Sequence, residues 1–491
     1  MSIQPWVTVD PPDDRGLRKI TVGGKTVGSA WSFRELCKIL NRLGYTDMDF
    51  SSFYWRGGDS KTWPDKPWRR RAIVTLMTGG MVGSAILHLS IGWPDALRAL
   101  TFAQRIVGAI FILAGVLLVA AALAAHDYWG RREFRPSGMI ALTGALITLA
   151  TDTLLLIMWL EEREYTPYLI AFIPLSLWSL WALCLLIREK PWKEMPHPTR
   201  FAAGVAATAL LTAVSLAYST MYQPTSAPID ITLKAEFGTP QTSPDPKYVH
   251  VPLKLHAKND GGIPVYILNS DYTVRGSSVS YSSSSEGLEE WTADTEYLGD
   301  TAEAQRHASK GEDAVVASGH FYYPGAWLEI GEQYAKGAVI RIPRKTKYDT
   351  LEVSLSIDIM RKDRGRIDEE FSISRFSWEE HEGEFHCPPD ECRDYGPYVA
   401  YHGRVHHNNN LINVTRRPRY VTAFWGPEST YSHYISSFDF KKKTIAAYDD
   451  TLFSSKEAQA EWKRERYRYG VGTVDTYFET PINALLGRSS E

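Results

Sequence analysis

Five long apolar stretches in the first half of the chain constrain its fold more than any other feature of the sequence. They cover roughly 72–93, 104–125, 138–160, 167–187 and 201–221. Each reaches the ~20 residues that an α-helix needs to cross the ~30 Å hydrocarbon layer of a bilayer. A helix in a soluble core rarely stays apolar on all its faces for so long. The sequence therefore predicts a multi-pass α-helical membrane domain with five spans over residues 67–222.

Lysine and arginine are distributed unevenly among the short loops around these stretches. Eleven lie before the first stretch, between the second and third, or between the fourth and fifth, and three lie in the remaining loops. Cytoplasmic loops carry the excess of these residues, so the N-terminus is predicted in the cytoplasm of a cell-membrane protein. With an odd number of spans, everything after Tyr222 is then predicted outside. The eleven are Lys66, Arg69, Arg70, Arg71, Arg131, Arg132, Arg135, Arg188, Lys190, Lys193 and Arg200, and the three are Arg98, Arg105 and Arg163.

Residues 1–66 are predicted to form a small cytoplasmic ββα domain. The segment KITVGGKTVG alternates apolar and polar residues around Gly23 and Gly24, which is typical of a β-hairpin. In the following SFRELCKILNRLGY, Ser32 and Glu35 have the spacing of a capping box at the start of a helix. A folded domain on the cytoplasmic side indicates a possible docking site for a cytoplasmic partner.

Beyond residue 228 the period of the apolar residues changes from helical to two. DITLKAEF, VPLKLHA and LEVSLSIDIM each place their apolar side chains on one face, and turn signals such as KNDGG separate such segments. This pattern predicts an extracytoplasmic all-β domain over 228–491, built as an antiparallel sandwich. The sandwich is expected over 228–374, with 375–491 as a second lobe or as elaborations of the first. An amphipathic helix is predicted from about Ser454 to Tyr467.

Two polar residues lie inside the predicted spans. Asp152 is about three residues, or ~4.5 Å, from the middle of the third span, and His88 lies in the outer half of the first. A carboxylate at this depth costs several kcal/mol unless it is paired, protonated or hydrated. Two interpretations remain open. Asp152 is either a structural group, neutral and bonded to hydroxyls or His88 within the bundle, or a proton or ion site.

The outer segment HCPPDECRDYGPYVAYHGRVHH contains two of the four cysteines. Cys37 lies in the predicted cytoplasmic domain and Cys184 in the fourth span, so Cys387 and Cys392 form the only outer pair. Disulfides persist outside the cytoplasm, and the two prolines between these cysteines favour a bend. The sequence therefore predicts a Cys387–Cys392 disulfide that fixes a loop.

A zinc site is the weaker alternative for the same segment. Cys387 and Cys392 with His402 and His406 would supply the four nitrogen and sulfur ligands that a structural zinc site uses. Against it, VAYHGRVHH alternates like a strand, and Gly403 and the following HHNNN turn limit what else converges there.

No motif in the chain identifies catalytic residues or a cofactor. There is no GxSxG or HExxH sequence, and GGKT is not a phosphate-binding loop because Lys19 stands where that motif has its first glycine. The net charge of −3 and the lack of a basic patch give no indication of nucleic-acid binding.

The favoured function is that of an integral membrane protein whose outer β domain binds or senses a ligand or protein. An enzyme is less favoured than a binding protein. A transporter or channel that uses Asp152 and a cell-envelope enzyme remain alternatives. Gly79 and Gly83 have the spacing that lets helices approach closely, either within the bundle or between copies in a homo-oligomer.

Overall fold

The computed structural model describes most of the chain, which divides into two compact units. These are Met1–Leu97 with Ile106–Leu216, and Arg98–Arg105 with Ala217–Glu491. The described residues are 7–13, 16–45, 53–57, 59–63, 67–99, 102–131, 134, 136–194, 228–242, 245–281, 292, 295–296, 308–376, 378, 398–426, 433–436 and 456–486.

The first unit begins with a small sheet and one helix. Its elements are β1 (Val7–Pro12), β2 (Arg18–Val22), β3 (Lys25–Ala30), α1 (Phe33–Arg42) and β4 (Tyr54–Trp55), and the strand order is β3-β2-β1-β4. The β2–β3 turn places Gly23 and Gly24 at φ of 55° and 83°, the left-handed conformation that a two-residue hairpin turn requires. The Ser32 hydroxyl accepts the Glu35 N–H at 3.2 Å and caps α1. The predicted hairpin and helix are present, and β1 and β4 extend their sheet.

Four helices among the described residues are long and apolar enough to cross a membrane. They are α2 (Pro67–Arg98), α3 (Phe102–His126), α4 (Ser137–Glu162) and α5 (Leu169–Glu189). Large apolar side chains such as Ile86, Leu123 and Leu177 are exposed on their surfaces, as expected for helices that contact lipid. These helices coincide with the first four predicted spans. The fifth predicted span, 201–221, lies outside the described residues.

Glycines allow the backbones of two helices in this unit to approach closely. A Cβ atom on Gly108 of α3 would lie 2.3 Å from the Ala96 nitrogen and 2.8 Å from the Gly92 oxygen of α2. The two backbones therefore cross at Gly92 and Gly108, because only residues without a side chain allow this distance. At Gly79, one of the two glycines singled out in the sequence, a Cβ atom would meet nothing within 4 Å.

The second unit contains most of the strands. In chain order its elements are β5 (Ile231–Phe237), β6 (Gln241–Thr242), β7 (Tyr248–Asn259), β8 (Val265–Tyr281), β9 (Ala308–His320), β10 (Trp327–Leu328), β11 (Gln333–Pro343), β12 (Thr350–Arg361), β13 (Gly365–Ile367), β14 (Ser374–Phe376), β15 (Val399–His407), α6 (Asn410–Thr415), β16 (Arg419–Trp425), β17 (His433–Ser436), α7 (Lys456–Tyr469), β18 (Val471–Pro481) and α8 (Ile482–Leu486). All its strand pairs are antiparallel.

Two of the sheets contribute to one apolar core. One has the order β11-β7-β5 with β6 beside β7, and the other has the order β10-β8-β12-β18 with β9 beside β8. Alternate residues of β7 and β12, including Leu253, Leu255, Val353 and Leu355, are fully buried in this core. The late strand β18 pairs with β12 along its whole length, so the C-terminal part of the chain completes a sheet that begins more than two hundred residues earlier.

A third sheet of this unit has its own core and is held to α7 by buried charges. Its order is β13-β15-β16-β17, with β14 beside β15. Arg416 donates to both carboxylate oxygens of Glu465 at 2.9 Å, and Arg468 donates to one of them at 2.6 Å. The Nε atom of Arg419 lies 3.7 Å from the same carboxylate. A single buried carboxylate therefore joins three guanidinium groups from α7, β16 and the segment before β16.

Candidate functional site

Five polar side chains of α2 and α4 meet inside the membrane helices and form what we term the intramembrane polar group. They are Ser84, His88, Thr148, Thr151 and Asp152. His88 Nδ1 lies 2.8 Å from the Ser84 carbonyl oxygen, and its Nε2 lies 3.0 Å from the Thr151 hydroxyl. Since a carbonyl oxygen only accepts, Nδ1 carries a hydrogen. The Thr148 hydroxyl donates to the Ser84 hydroxyl at 2.9 Å. Polar contacts thus join the two helices over two successive turns.

Asp152 is completely buried beside these contacts, as is His88. Among the described residues, neither oxygen of the Asp152 carboxyl group has a hydrogen-bond partner. His88 contacts Thr151 instead of the neighbouring carboxyl group. An unpaired charge in the hydrocarbon region costs several kcal/mol, so this carboxyl group is expected to be protonated unless a cation or water accompanies it.

The predicted outer histidines do not converge. His402 is buried on β15, where its Nδ1 lies 2.9 Å from the Thr422 hydroxyl and its ring stacks on Tyr420. His406 lies four residues further along the strand, about 13 Å away at the usual rise, and its Nε2 is 3.3 Å from an Asp368 oxygen. Burial lowers the pKa of His406. Among the described residues, no group of three or more His, Cys, Asp and Glu side chains is placed to hold a metal ion.

The cysteines of the predicted disulfide, Cys387 and Cys392, lie outside the described residues, so the disulfide stays a prediction. Cys37 and Cys184 both carry free thiols.

A second polar site, which we term the acidic corner, lies on the outer face of the β8–β12–β18 sheet. We define it by Asn269, Asp271, Asp358 and Asp475, with His320 at its edge. Asp271 pairs with Ser356 of β12, and Ser356 pairs in turn with Asp475 of β18. His320 of β9 pairs with Asp271 on the other side. Directly opposed residues point to the same face, so one row of side chains crosses four strands.

The next row of the acidic corner contains Asn269 and Asp358, which pair across β8 and β12. Asp358 is 1% exposed and accepts a hydrogen bond from Thr473 at 2.7 Å. Asn269 is 2% exposed, and its amide nitrogen lies 3.5 Å from an Asp271 oxygen. The Asn269 oxygen has no hydrogen-bond partner among the described residues. The corner therefore holds a buried acceptor beside carboxylates.

Asp271 is the titratable centre of the acidic corner. Burial, with repulsion from Asp358 and Asp475, raises its pKa from 3.8 to about 7. His320 supplies no positive charge to offset this effect, because burial lowers the pKa of that ring. Its Nδ1 donates to the Ser270 carbonyl oxygen at 2.9 Å. Neither Asp271 nor Asp475 forms an ion pair in the described part of the chain.

Aromatic residues of the third sheet border the acidic corner. The Trp425 ring lies 4.4 Å from the His320 ring, centroid to centroid, and the Tyr401 ring lies 5.7 Å from it on another side. The Phe424 carbonyl oxygen accepts from the Asn269 amide at 3.4 Å. The strands β15 and β16 thus cover one end of the acidic row, while Asp475 and Tyr477 at the other end are exposed.

The acidic corner was not predicted from the sequence, although one signal for it was present. The alternation in LEVSLSIDIM places Ser356 and Asp358 on the polar face of one strand. The other two carboxylates are distant in the sequence: Asp271 lies 87 residues before Asp358, and Asp475 lies 117 residues after it. Only the pairing register brings these groups together.

Comparison with known proteins adds no functional assignment. The chain matches no family model and has no significant match among curated proteins. Several solved structures share limited similarity with it, and two illustrate how low it is. One is a protein described as ApaA from Bordetella pertussis, at 9% identity over 28% of this chain and 82% of that one, with a TM-score of 0.16. The other is Spo0M, a sporulation control protein from Bacillus subtilis, at 12% identity over 51% of this chain and 90% of that one, with a TM-score of 0.14. Similarity this low supports no inference about function.

Proposed function

We propose that this chain is a membrane-anchored binding protein whose β-rich domain lies outside the cell membrane and senses a ligand at the acidic corner. The proposed chain begins with a cytoplasmic domain, residues 1–66, which docks a cytoplasmic partner. Five spans follow, and a sandwich-like domain lies outside. The observation that carries the proposal is the acidic corner, where the carboxylates of Asp271 and Asp475, which form no ion pair in the described part of the chain, lie near a buried amide oxygen and aromatic rings.

The charges in the loops support the proposed orientation. Lys66 precedes α2, Arg69 and Arg70 lie in its first turn, Arg188 lies in the last turn of α5, and Lys190 follows it. These charges support a cytoplasmic position for both ends of the four-helix segment. One more span, predicted at 201–221, then carries the chain outside. The apolar core that the β5–β7–β11 and β8–β12–β18 sheets share supports a sandwich-like outer domain.

Reporter fusions test the orientation. A reporter that is active only in the cytoplasm should work when fused at residue 1 or within 188–200, and a reporter that is active only outside should work after residue 225. The positive-inside distribution of Lys and Arg is the physical reason. The measurement is reporter activity in intact cells, normalised to the amount of each fusion protein. The reverse pattern at either end contradicts the proposed function.

Proton or cation transport through Asp152 is a second candidate function. The observation in its favour is the buried carboxyl group without a hydrogen-bond partner among the described residues. In liposomes that contain the purified protein, Asp152→Asn should abolish proton or sodium flux, because the amide keeps the shape but cannot exchange a proton. Thr143→Val is the matched control, since among the described residues this α4 hydroxyl bonds to the carbonyl oxygen of Met139 within its own helix. Equal flux in wild type and Asp152→Asn excludes this candidate.

A further inference from the structure

We propose that the acidic corner binds a small organic cation with two or more ammonium groups, such as a linear polyamine. The inference rests on the proposed function, because it names the class of ligand for the same site. Four properties of the corner favour this ligand class: its negative charge, a buried acceptor, the spacing of the carboxylates and the nearby aromatic rings.

Charge is the first property. Asp271, Asp358 and Asp475 lie on one face of three adjacent strands, and the neighbouring His320 ring is uncharged near neutral pH because burial lowers its pKa. Lys336 of β11 donates to the His320 carbonyl oxygen at 2.6 Å, at the edge of the corner. Arg275, the basic residue of β8 on this face, lies four residues from Asp271, or about 13 Å along the strand. The charges that act on the Asp271 carboxyl group are those of Asp358 and Asp475. A bound cation would offset the mutual repulsion of these carboxylates.

The buried acceptor indicates a ligand that donates hydrogen bonds. The Asn269 oxygen is a buried acceptor without a donor among the described residues, and leaving a buried polar group unsatisfied destabilises the structure. Its amide lies beside Asp271. An ammonium group carries three N–H donors, so it can satisfy the Asn269 oxygen and an Asp271 oxygen together.

The spacing of the carboxylates favours an extended organic cation over a metal ion. Within the described residues no three acidic or histidine side chains are close enough to share a metal ion. Two strand spacings, about 10 Å, separate the backbone positions of Asp271 and Asp475. A linear polyamine can place one ammonium group at the buried end of this row and another at the exposed end.

Aromatic rings complete the site. Trp425 is half-buried at the covered end of the row, against His320. Tyr477 is 65% exposed, and it lies two residues from Asp475 on the same face of β18. Aromatic faces attract organic cations and their methylene groups, which an inorganic ion lacks.

Isothermal titration calorimetry tests the proposal. Spermidine is titrated into the full-length protein in uncharged detergent. Wild type should bind at one site at 0.15 M salt, an ionic strength of about the physiological value. Asp475→Asn and Asp271→Asn should each weaken binding roughly tenfold or more, because each removes a charged hydrogen-bond acceptor. Glu236→Gln, which changes a carboxylate on β5 of the other sheet, should leave the affinity unchanged. Asp475 is exposed, so its variant carries little risk of misfolding.

The dependence on pH supplies an independent readout. Affinity should rise from pH 6 to pH 8, because ligand binding favours the ionised form of Asp271, whose pKa is about 7. The nearby carboxylates are Asp358 and Asp475, and His320 on β9 pairs with Asp271. Tyr401 and Lys336 both contact His320. Burial lowers the pKa of His320 below 6.5, so this ring is mostly neutral in the upper part of the range. Burial raises the pKa of Tyr401 above its already alkaline value, and aliphatic amines stay charged. Asp271→Asn should remove this pH dependence.

Two results would overturn the inference. One is binding that Asp475→Asn and Asp271→Asn leave as strong as in wild type. The other is complete loss of spermidine binding when magnesium chloride replaces the salt at the same ionic strength. That result would show that spermidine binds by non-specific charge attraction. Titration in detergent does not depend on membrane orientation. If spermidine does not bind, the orientation found with the reporter fusions still holds. If the fusions show the reverse orientation, the titration still tests ligand binding.

Discussion

Replacing Glu465 with alanine is expected to lower the free energy of unfolding of the β-rich unit by about 3–5 kcal/mol. Glu465 is 1% exposed, and Arg416 and Arg419 are each 2% exposed. The substitution would remove the carboxylate that Arg416 binds through both oxygens, and it would leave Arg419 with the more exposed Glu461 as its carboxylate partner. It would also leave Arg468, which donates to Glu465 at 2.6 Å, without that acceptor. Uncompensated buried charge costs far more than the loss of an exposed ion pair.

Two variants separate the buried charge from helix effects in α7. Glu465→Gln keeps the shape of the side chain and one acceptor oxygen, so its free energy of unfolding should lie between those of wild type and Glu465→Ala. Glu461→Ala removes a carboxylate of the same helix that is 43% exposed and lies 3.5 Å from Arg419, and it should cost about 1 kcal/mol or less. Chemical unfolding of the full-length protein in detergent, followed by tryptophan fluorescence, is the measurement. If Glu465→Ala and Glu461→Ala are equally stable, the ion cluster does not hold α7 in place.

The second large effect is expected in the membrane helices, where Gly108→Leu should separate α2 from α3. Even the first side-chain atom would lie 2.3 Å from the Ala96 nitrogen and 2.8 Å from the Gly92 oxygen. These are backbone atoms, which cannot move aside as a flexible side chain can. Overpacking of well-packed interiors typically costs about 1–3 kcal/mol, and we expect Gly108→Leu to reach or exceed the upper value.

The matched control for this prediction is Gly79→Leu in α2. A Cβ atom there meets nothing within 4 Å, and replacing glycine inside a helix generally adds stability, by up to about 1 kcal/mol. The variants are compared by unfolding the purified proteins in mixed micelles of increasing SDS content. Far-UV circular dichroism follows the loss of helix. Equal midpoints for Gly108→Leu, Gly79→Leu and wild type would show that the α2–α3 contact is not close-packed.

Several elements of this protein follow from the sequence because short-range chemistry sets them. Apolar length alone predicts α2 to α5, since a helix must cover a fixed hydrocarbon thickness. The Gly23–Gly24 turn and the Ser32 cap are decided within four residues by backbone conformation and one side-chain hydrogen bond. The amphipathic helix predicted near Ser454–Tyr467 is present as Lys456–Tyr469, and Gly470 follows it at φ 60°.

Other features depend on which distant segments pack together, and only the tertiary structure decides them. The strand β18 has an alternating pattern that suits many partners, yet its pairing with β12 is what brings Asp475 into the row with Asp271. In the membrane helices, Asp152 and His88 were both recognisable as polar residues at depth. Their rotation about α2 and α4 makes Thr151, rather than Asp152, the partner of His88. Strand register and helix rotation result from competition among all possible packings of the whole chain, so periodicity within one segment cannot specify them.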